Sequence, residues 1–337
     1  MNMKGCFVCS KGGRLSYVYH SGRMDAIRNE IEMLPEVINE ENYVEYRECL
    51  RDVEVIFCTW GMVEFIEEQI REFFPGLKVV FYAAASVRYF AEPFLRLGIK
   101  ILTCHRIMAV PVAQFTVASI VFASKGALPT LRSYPEEGMS CNSLTQDTYP
   151  GIYKTKVGIL GAGCIGSLVI KMLKDYDVEI MVFDPFLSKD KMEELGIGRT
   201  YSLEEIFESC QTISNHLANN DDTIGILDYK LFSKMPENAA FINTGRGAQV
   251  VEEDMIRALK EEPLRTAILD VTWPEPAPLE SPLFKMDNVF LFPHIAGSAR
   301  DEVLMFPDFM LEQLKNYKAG KPFDNCEVSL KMLETMA

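Results

Sequence analysis

The sequence lacks an excess of positive charge and lacks a hydrophobic run of the length that a membrane span needs. Lysine and arginine number 34 against 48 acidic residues, which gives a net charge of −14. This balance argues against nucleic acid and membrane surfaces as partners. It leaves an anionic substrate open, because a local arginine can outweigh the overall field. The most apolar stretch, residues 110–124, contains Gln114 and predicts a buried helix.

Cysteine is present, but not in the pattern of a disulfide framework or a metal site. The nine cysteines are odd in number and scattered, and several lie in apolar runs. They predict buried free thiols in a reducing compartment. Cys6 and Cys9 form a lone CxxC pair without a second pair or a nearby histidine, so no metal site is expected. The N-terminal segment lacks the features of a signal peptide, and we expect a cytoplasmic protein.

The length of 337 residues, with 48% hydrophobic and 24% charged residues, is typical of about two globular domains. Residues 1–105 alternate apolar and amphipathic segments. Strands are predicted at 5–9, 53–58, 77–82 and 99–103, and helices at 43–50, 63–74 and 89–97. This alternation predicts a parallel sheet with helices on both faces. A long helix is expected at 109–131, as the crossing between domains, and an ordered surface loop at 133–152.

The most informative stretch is residues 156–185, KVGILGAGCIGSLVIKMLKDYDVEIMVFDP. A short apolar strand leads into Gly161-Ala162-Gly163-Cys164-Ile165-Gly166, and an amphipathic helix follows. A second apolar strand then ends in Asp184, 18 residues after Gly166. This strand, glycine turn, helix, strand and acid form the complete dinucleotide-binding pattern, whereas a GxGxxG motif alone would be weak.

Each part of this unit has a physical role. Gly161 makes the tight turn, Gly163 lets the backbone approach a pyrophosphate, and Gly166 allows the helix to pack closely on the strand. The first N–H groups of the helix face the phosphates. Asp184 accepts hydrogen bonds from the ribose hydroxyls and repels a 2′-phosphate, and Pro185 follows it where an arginine would suit NADP. NAD is therefore the predicted cofactor.

Polar residues follow several later strands of this second unit. Strands are predicted at 211–215, 239–243, 266–271 and 289–292, helices at 203–209, 229–234, 252–261 and 300–318, and a stiff proline-rich loop at 273–282. Ligands of open α/β sheets bind beyond the carboxyl ends of the strands. We therefore expect Arg246, Glu275 and His294 to reach the same sheet edge as the dinucleotide.

Taken together, these motifs resemble the D-isomer-specific 2-hydroxyacid dehydrogenase family. The matching segments are GAGCIG with Asp184, AVPVAQFTVA at 109–118, FINTGRGAQVVEEDMIRAL at 241–259, ILDVTWPEPAPLESPLF at 268–284 and NVFLFPHIAGSA at 288–299. The resemblance implies two doubly wound parallel-sheet α/β domains. Residues 1–108 would be a flavodoxin-like substrate-binding domain, 109–300 an inserted Rossmann NAD-binding domain, and 301–337 a helix and tail returning to the first domain. It also implies a homodimer built through the NAD domains.

The resemblance places the family's catalytic residues on Arg246, Glu275 and His294, and their chemistry agrees. Reduction of a 2-keto acid puts a hydride on the carbonyl carbon and a proton on its oxygen. His294 would supply the proton, since imidazole is the side chain that most often serves as a general acid. Glu275 would orient the imidazole and favour its protonated form. Arg246 would bind the substrate carboxylate with its planar fork and polarise the carbonyl.

Further residues are assigned to ligand binding. The resemblance implies that loop 82–88 holds the substrate carboxylate with backbone N–H groups. His216 is a second choice for a proton-handling or nicotinamide-side role, and Trp60 would suit an apolar substrate side chain. The predicted substrate-binding residues are Trp60, Ala84, Ala85, Ser86, Arg246 and His294. The predicted cofactor-binding residues are Gly161, Gly163, Cys164, Ile165, Gly166, Asp184, His216, Thr244, Gly245, Arg246, Asp270, His294 and Gly297.

Four positions depart from the family pattern: Met108, Gln114, Cys164 and Ala218 stand where Asn, Glu, Arg and Pro are common. Met108 and Glu275 argue against the formate dehydrogenase branch. We predict an NAD-dependent enzyme that interconverts a small 2-keto acid and the D-2-hydroxy acid in a cleft between the domains. Two alternatives stay open. One is an NAD(H)-responsive binding protein without turnover, and the other is a different specificity, such as hydroxypyruvate, glyoxylate or phosphoglycerate.

Overall fold

A computed structural model describes residues 3–334 and divides the chain into two compact units. Unit 1 combines the residues up to Met108 with those from Ser298 onwards, and unit 2 runs from Ala109 to Gly297. Each unit is built on a parallel sheet covered by helices, which confirms the predicted fold class. All nine cysteines are free thiols, and only Cys49 and Cys164 are exposed.

Eleven strands and thirteen α-helices form within residues 3–334. The strands are β1 (Lys4–Val8), β2 (Glu32–Ile38), β3 (Val55–Cys58), β4 (Val79–Tyr82), β5 (Lys100–Thr103), β6 (Lys156–Leu160), β7 (Glu179–Phe183), β8 (Thr212–Asn215), β9 (Ala240–Asn243), β10 (Thr266–Leu269) and β11 (Val289–Leu291). The helices are α1 (Leu15–Val18), α2 (Arg23–Arg28), α3 (Arg47–Leu50), α4 (Glu67–Phe73), α5 (Ala91–Arg96), α6 (His105–Ser124), α7 (Ala127–Glu137), α8 (Cys164–Leu173), α9 (Lys189–Leu195), α10 (Leu203–Ser209), α11 (Tyr229–Phe232), α12 (Glu252–Glu261) and α13 (Met305–Lys318).

The sheet of unit 1 has the strand order β2-β1-β3-β4-β5, the flavodoxin-like order. The sequence analysis missed β2, an edge strand whose Glu32, Pro35 and Glu36 interrupt the apolar pattern. Proline is tolerated on an edge strand, because no second neighbour needs its N–H. The register between β1 and β2 shifts between Gly5 and Phe7, which absorbs the irregularity.

The C-terminal helix α13 belongs to unit 1. Its buried face includes Phe306, Met310 and Leu314, which pack in one core cluster with strand residues such as Phe7 and Phe57. The predicted helix at 300–318 begins later than expected, because residues 302–304 form a separate 3-10 turn. This packing ties the chain after Ser298 to the N-terminal sheet.

The sheet of unit 2 has the order β11-β10-β9-β8-β6-β7, with every pairing parallel. Thr200 adds a single parallel bridge to Val182 on the outer side of β7. Strand β7 is thus added on one side of β6, and the chain then crosses to the other side of β6, where strands β8 to β11 follow in order. A crevice forms at such a reversal, beyond the carboxyl ends of β6 and β8.

Helices α6 and α7 differ from the long helix predicted at 109–131. Gly126, at φ +58°, separates them, and a Cβ there would lie 2.0 Å from the Tyr149 ring. Position 126 therefore needs glycine for both conformation and space. The surface loop predicted at 133–152 is wrong in its first half, because α7 continues to Glu137 and helical turns follow at Gly138–Cys141 and Leu144–Thr148.

Helix α6 is buried as predicted but is longer than its apolar run. At 20 residues it is long and apolar enough to cross a membrane by length and composition alone. Its inward residues Ala113, Ile120 and Ala123 instead pack in one core cluster with Val157 and Ile159 of β6. The helix therefore forms part of the core of unit 2.

Candidate functional site

The glycine-rich loop joins β6 to α8 at the crevice of unit 2. Gly161 has φ +89°, and a Cβ there would lie 2.7 Å from the carbonyl oxygen of His216. A Cβ on Gly166 would lie 2.0 Å from the carbonyl oxygen of Gly161. A Cβ on Gly163 would meet nothing within 4 Å. Two glycines thus allow close backbone packing, and the third leaves open space where a pyrophosphate can approach.

The end of β7 places a carboxylate beside this loop. One oxygen of Asp184 accepts the Ala162 N–H at 2.9 Å, and the other accepts the Phe186 N–H at 2.9 Å. Each carboxylate oxygen keeps a lone pair for a ribose hydroxyl. Cys164, which is exposed, and Ile165 begin α8, whose free N–H groups favour an anion. These residues fit a dinucleotide.

His216 follows β8 and touches the glycine loop through its backbone. Its Nε2 lies 2.9 Å from the Ser214 hydroxyl. Its Nδ1 is buried and has no hydrogen-bond partner among the described residues. Burial lowers the pKa of His216 to about 3. The ring is therefore neutral near pH 7 and is poorly suited to donate a proton, while the predicted nicotinamide-side role stays a prediction.

This burial predicts a pH-dependent stability. The unfolded chain protonates His216 below its ordinary pKa of 6.5, whereas the folded chain does so only below about 3. The free energy of unfolding therefore decreases as the pH falls from about 6.5 towards about 3. Between pH 7 and pH 5 the wild type should lose about 2 kcal/mol more unfolding free energy than His216→Gln. Urea unfolding at both pH values measures this, with His20→Gln as the control. Equal losses in the wild type and His216→Gln would contradict it.

A buried amide network that the sequence analysis missed connects the ends of β8 and β9. The Asn215 side-chain amide donates to Asn243 Oδ1 at 3.1 Å and to Gln249 Oε1 at 2.5 Å. The Gln249 amide donates to the carbonyl oxygens of Leu217 and Ala218 at 2.7 and 2.8 Å. The sequence signal for this network was an asparagine at the end of each of two apolar strands, Asn215 and Asn243. The network fixes the loop after His216.

The same network positions the loop that carries Arg246. Asn243 accepts the Gly245 N–H at 3.0 Å and donates to the carbonyl oxygen of Arg246 at 3.0 Å. The Thr244 hydroxyl pairs with that of Thr116 at 3.1 Å. The Arg246 guanidinium donates to the Gly245 carbonyl at 2.8 Å. Burial lowers its pKa, and the charge of Glu275 opposes that shift.

Close backbone contact links this loop to the next one. A Cβ on Gly247 would lie 2.1 Å from the carbonyl group of Thr272. Only glycine allows the chain after Arg246 to pack against the start of the loop that carries Glu275. Two peptide bonds of that loop, before Pro274 and Pro276, are cis.

Glu275 and His294 form the central pair of the site. Nδ1 of His294 lies 2.6 Å from Oε1 of Glu275. The His294 side chain is 51% exposed and the Glu275 side chain is 35% exposed, so a ligand can reach both. His294 has φ +55°, a backbone conformation that is uncommon for residues other than glycine. The Glu275 carboxylate therefore holds Nδ1 of the ring and fixes the orientation of the imidazole.

Asp270 positions the segment that carries His294. The buried carboxylate accepts the N–H groups of Ile295 at 2.8 Å and Ala296 at 3.0 Å. The His294 N–H donates to the Asp270 carbonyl oxygen at 3.0 Å. Burial raises the pKa of Asp270, while the two N–H donors oppose that shift. The Asp270 carboxylate thus positions the loop that carries His294, and its predicted contact with the cofactor stays a prediction.

The predicted site residues of unit 2 all lie at one edge of its sheet, on loops that follow strands β6 to β11. The buried Gly297 ends this series. The predicted substrate residues of unit 1 follow β3 and β4 of the other sheet, Trp60 after the first and Ala84, Ala85 and Ser86 after the second. Ala84 is buried, and its carbonyl oxygen accepts the Cys104 N–H at 2.8 Å. Ser86 and Trp60 are partly exposed.

Comparison with known proteins agrees with this geometry. Residues 120–296, more than half of the chain, match the family model described as "D-isomer specific 2-hydroxyacid dehydrogenase, NAD binding domain". A D-3-phosphoglycerate dehydrogenase of Archaeoglobus fulgidus is 32% identical over 177 residues, which cover 52% of this chain but only 33% of that protein. A glyoxylate reductase of Korarchaeum cryptofilum is 27% identical over 260 residues, 76% of this chain and 77% of the relative.

Solved structures show the same fold. The apo form of Rhodotorula graminis D-mandelate dehydrogenase superposes with a TM-score of 0.79 at 18% identity, covering 97% of both chains. The matched domain confirms NAD as the cofactor predicted from the glycine loop and Asp184. The chain belongs to the D-isomer-specific 2-hydroxyacid dehydrogenase family, and unit 2 contains the NAD-binding domain of that family.

Proposed function

We propose that the protein is an NAD-dependent oxidoreductase that interconverts a small 2-keto acid and the D-2-hydroxy acid. The observation that carries the proposal is the 2.6 Å contact between Glu275 and His294 at the sheet edge that also holds the glycine loop. The relatives named above are a dehydrogenase and a reductase, which favours an enzyme over a binding protein.

The proposed mechanism assigns one role to each side chain. NAD, when bound, accepts or supplies the hydride. In the reductive direction, Nε2 of His294 donates its proton to the carbonyl oxygen as the alcohol forms. Glu275 accepts the hydrogen bond from Nδ1–H and holds the ring in the orientation that the transfer needs. The Arg246 guanidinium binds the substrate carboxylate and polarises the carbonyl group, and its partial burial strengthens both interactions.

The loop after β4 is the proposed partner for the substrate carboxylate in unit 1. The backbone N–H groups of Ala85, Ser86 and Val87 donate to no acceptor within the described part of the chain. Free N–H groups in a loop beside a cavity suit an anionic oxygen. This supports the assignment of Ala85 and Ser86 to substrate binding.

The direct test is a panel of 2-keto acids with NADH, followed by the loss of NADH absorbance. The proposal expects turnover with at least one member, including members as small as glyoxylate. It expects the product to be the D enantiomer, except where reduction creates no stereocentre. Tight NADH binding without reduction of any member would contradict the proposal and favour an NAD(H)-responsive binding protein.

The role proposed for Asp184 gives a separate prediction. Asp184→Asn removes the charge that repels a 2′-phosphate and weakens the hydrogen bonds to the ribose. The ratio of kcat/KM for NADH to that for NADPH should fall by more than about tenfold, because charge-assisted hydrogen bonds contribute ~1.5–3 kcal/mol. Steady-state kinetics with both cofactors measure it, with the exposed Asp175→Asn as a control. An unchanged ratio would exclude this role.

We also propose a cytoplasmic homodimer formed through unit 2. The support is a set of exposed apolar side chains on α6, α7 and the turn that follows: Phe122, Leu131, Tyr134 and Met139. Exposed apolar side chains that gather on neighbouring elements mark an interaction surface. Light scattering of the purified protein tests the assembly, and a monomer at micromolar concentration would contradict it.

A further inference from the structure

Unit 1 contains a cavity at the position where open α/β sheets bind ligands. The cavity has a volume of about 560 Å³ and lies where the loops after β1, β3 and β4 meet. β1 and β3 are adjacent in the order β2-β1-β3-β4-β5, and the chain reverses direction between them. Ligands bind at this kind of reversal, and small-molecule sites usually enclose ~300–1,000 Å³.

The cavity walls are held by hydrogen bonds between these loops. The Ser10 N–H donates to the carbonyl oxygen of Gly61 at 2.7 Å. The Met62 N–H donates to the Tyr89 hydroxyl at 3.0 Å. Gly61 has φ +94°, which turns the chain directly after Trp60. The cavity is therefore formed before any ligand binds, which lowers the cost of binding.

Among the described residues that line the cavity, the charged side chains are both acidic, Glu40 and Glu64, and none is a Lys, Arg or His. Neither carboxylate forms a salt bridge within residues 3–334. The nearby ammonium group of Lys11 pairs instead with Glu41 at 2.5 Å. Glu40 accepts only the Lys11 backbone N–H, at 3.2 Å. Two exposed carboxylates, neither in a salt bridge among the described residues, therefore give this side of the cavity a negative character.

The other lining groups suit a cation as well. The indole of Trp60 can bind a cation on its face. Ser10, Tyr82, Ser86 and Tyr89 add hydroxyl groups that can accept hydrogen bonds from an ammonium or guanidinium group. Ser86 also belongs to the loop whose N–H groups are free to bind a carboxylate. One wall thus suits an anion, and the rest of the cavity suits a positive charge.

We propose that this cavity binds the side chain of the substrate and selects 2-keto and D-2-hydroxy acids whose far end carries an ammonium or guanidinium group. The inference rests on the proposed function and names its substrate class. It replaces the expectation of an apolar side chain against Trp60. Phosphorylated and dicarboxylic substrates are disfavoured, because their second anionic group would face Glu40 and Glu64.

The test compares three D-2-hydroxy acids of equal chain length in the oxidative direction with NAD. They are 6-amino-2-hydroxyhexanoate, 2-hydroxyhexanoate and 2-hydroxyadipate. Each loses a hydride to NAD and a proton to solvent, so NADH formation reports all three. kcat/KM should be about tenfold higher for 6-amino-2-hydroxyhexanoate than for 2-hydroxyhexanoate, and it should be lowest for 2-hydroxyadipate. In Glu40→Gln/Glu64→Gln this preference should vanish. The matched control Glu45→Gln/Glu48→Gln, which removes two exposed carboxylates outside the cavity, should keep it.

Calorimetric binding of the same acids to the protein with NAD separates the two proposals. If the wild type oxidises 2-hydroxyhexanoate with the same kcat/KM as 6-amino-2-hydroxyhexanoate, the pocket assignment is overturned and the enzyme proposal stands. A third outcome is that no acid is oxidised, 6-amino-2-hydroxyhexanoate binds most tightly, and its higher affinity disappears in Glu40→Gln/Glu64→Gln. In that case the pocket assignment stands and the enzyme proposal fails. If no acid is oxidised or bound, both are overturned.

Discussion

His294→Ala should lower kcat for the best 2-keto acid by about 10²–10⁴, the usual contribution of a positioned general acid. Glu275 holds the imidazole at 2.6 Å, and the backbone N–H of His294 donates to the Asp270 carbonyl oxygen. Alanine keeps that backbone bond, so the substitution removes the proton source without disturbing the glycine loop. The affinity for NADH should therefore stay within about threefold. Stopped-flow measurement of hydride transfer, together with an NADH titration by fluorescence, checks both expectations.

His20→Ala is the matched control for this variant. His20 lies in unit 1, where it contacts Ser21 and the carbonyl oxygen of Arg300. It should leave kcat unchanged. A His294→Ala enzyme that retains more than a tenth of the wild-type rate would require a different proton donor.

Arg246→Gln should lower kcat/KM by about 10²–10³, the range found when a hydrogen-bond donor to a developing oxyanion is removed. Glutamine keeps a polar group in the partly buried position but loses the charge and the planar fork. Because the substrate carboxylate is bound in the ground state as well, KM should rise along with the fall in kcat. Steady-state kinetics with the preferred substrate separate the two effects.

Arg257→Gln provides the control for the loss of an arginine. Arg257 lies on α12 and forms an exposed salt bridge with Glu261 at 2.9 Å. Its replacement should leave kcat/KM within about twofold. If Arg246→Gln behaved like this surface variant, substrate binding would have to occur elsewhere.

The cofactor-binding residues could be predicted because they lie close together in short segments of the sequence. Gly161 and Gly163 precede α8, Gly166 lies in its first turn, and Asp184 follows the next strand. Their roles therefore depend on neighbours within one βαβ unit. Polar residues after successive apolar strands predict a common edge in the same way. The fold class followed from the alternation of strands and helices.

The features that were missed depend on contacts between distant parts of the chain. Strand β2 is stabilised by pairing with β1 rather than by its own apolar pattern. The break between α6 and α7 depends on the Tyr149 ring, which occupies the space beside Gly126. The role of Gln249 appears only when β8 and β9 bring Asn215 within reach. A sequence pattern carries none of these long-range contacts.

The cavity of unit 1 is a similar case. Trp60 and Ser86 were predicted to bind substrate, but Glu40 lies in a turn after the missed edge strand β2. Its carboxylate becomes relevant only when the loops after β1 and β3 meet. The proposal of a cationic substrate end therefore depends on the fold, because Glu40 joins Trp60 and Ser86 only in the folded chain.

The most direct test of the account follows the hydride itself. NADH deuterated at C4 of the nicotinamide is incubated with the enzyme and its best 2-keto acid, and the product is examined by NMR. The account predicts deuterium at C2 of the D-2-hydroxy acid, and about a hundredfold less of this product, or lower still, from His294→Ala on the same timescale. Binding of NADH without deuterium in any hydroxy acid, across the whole panel, would contradict it.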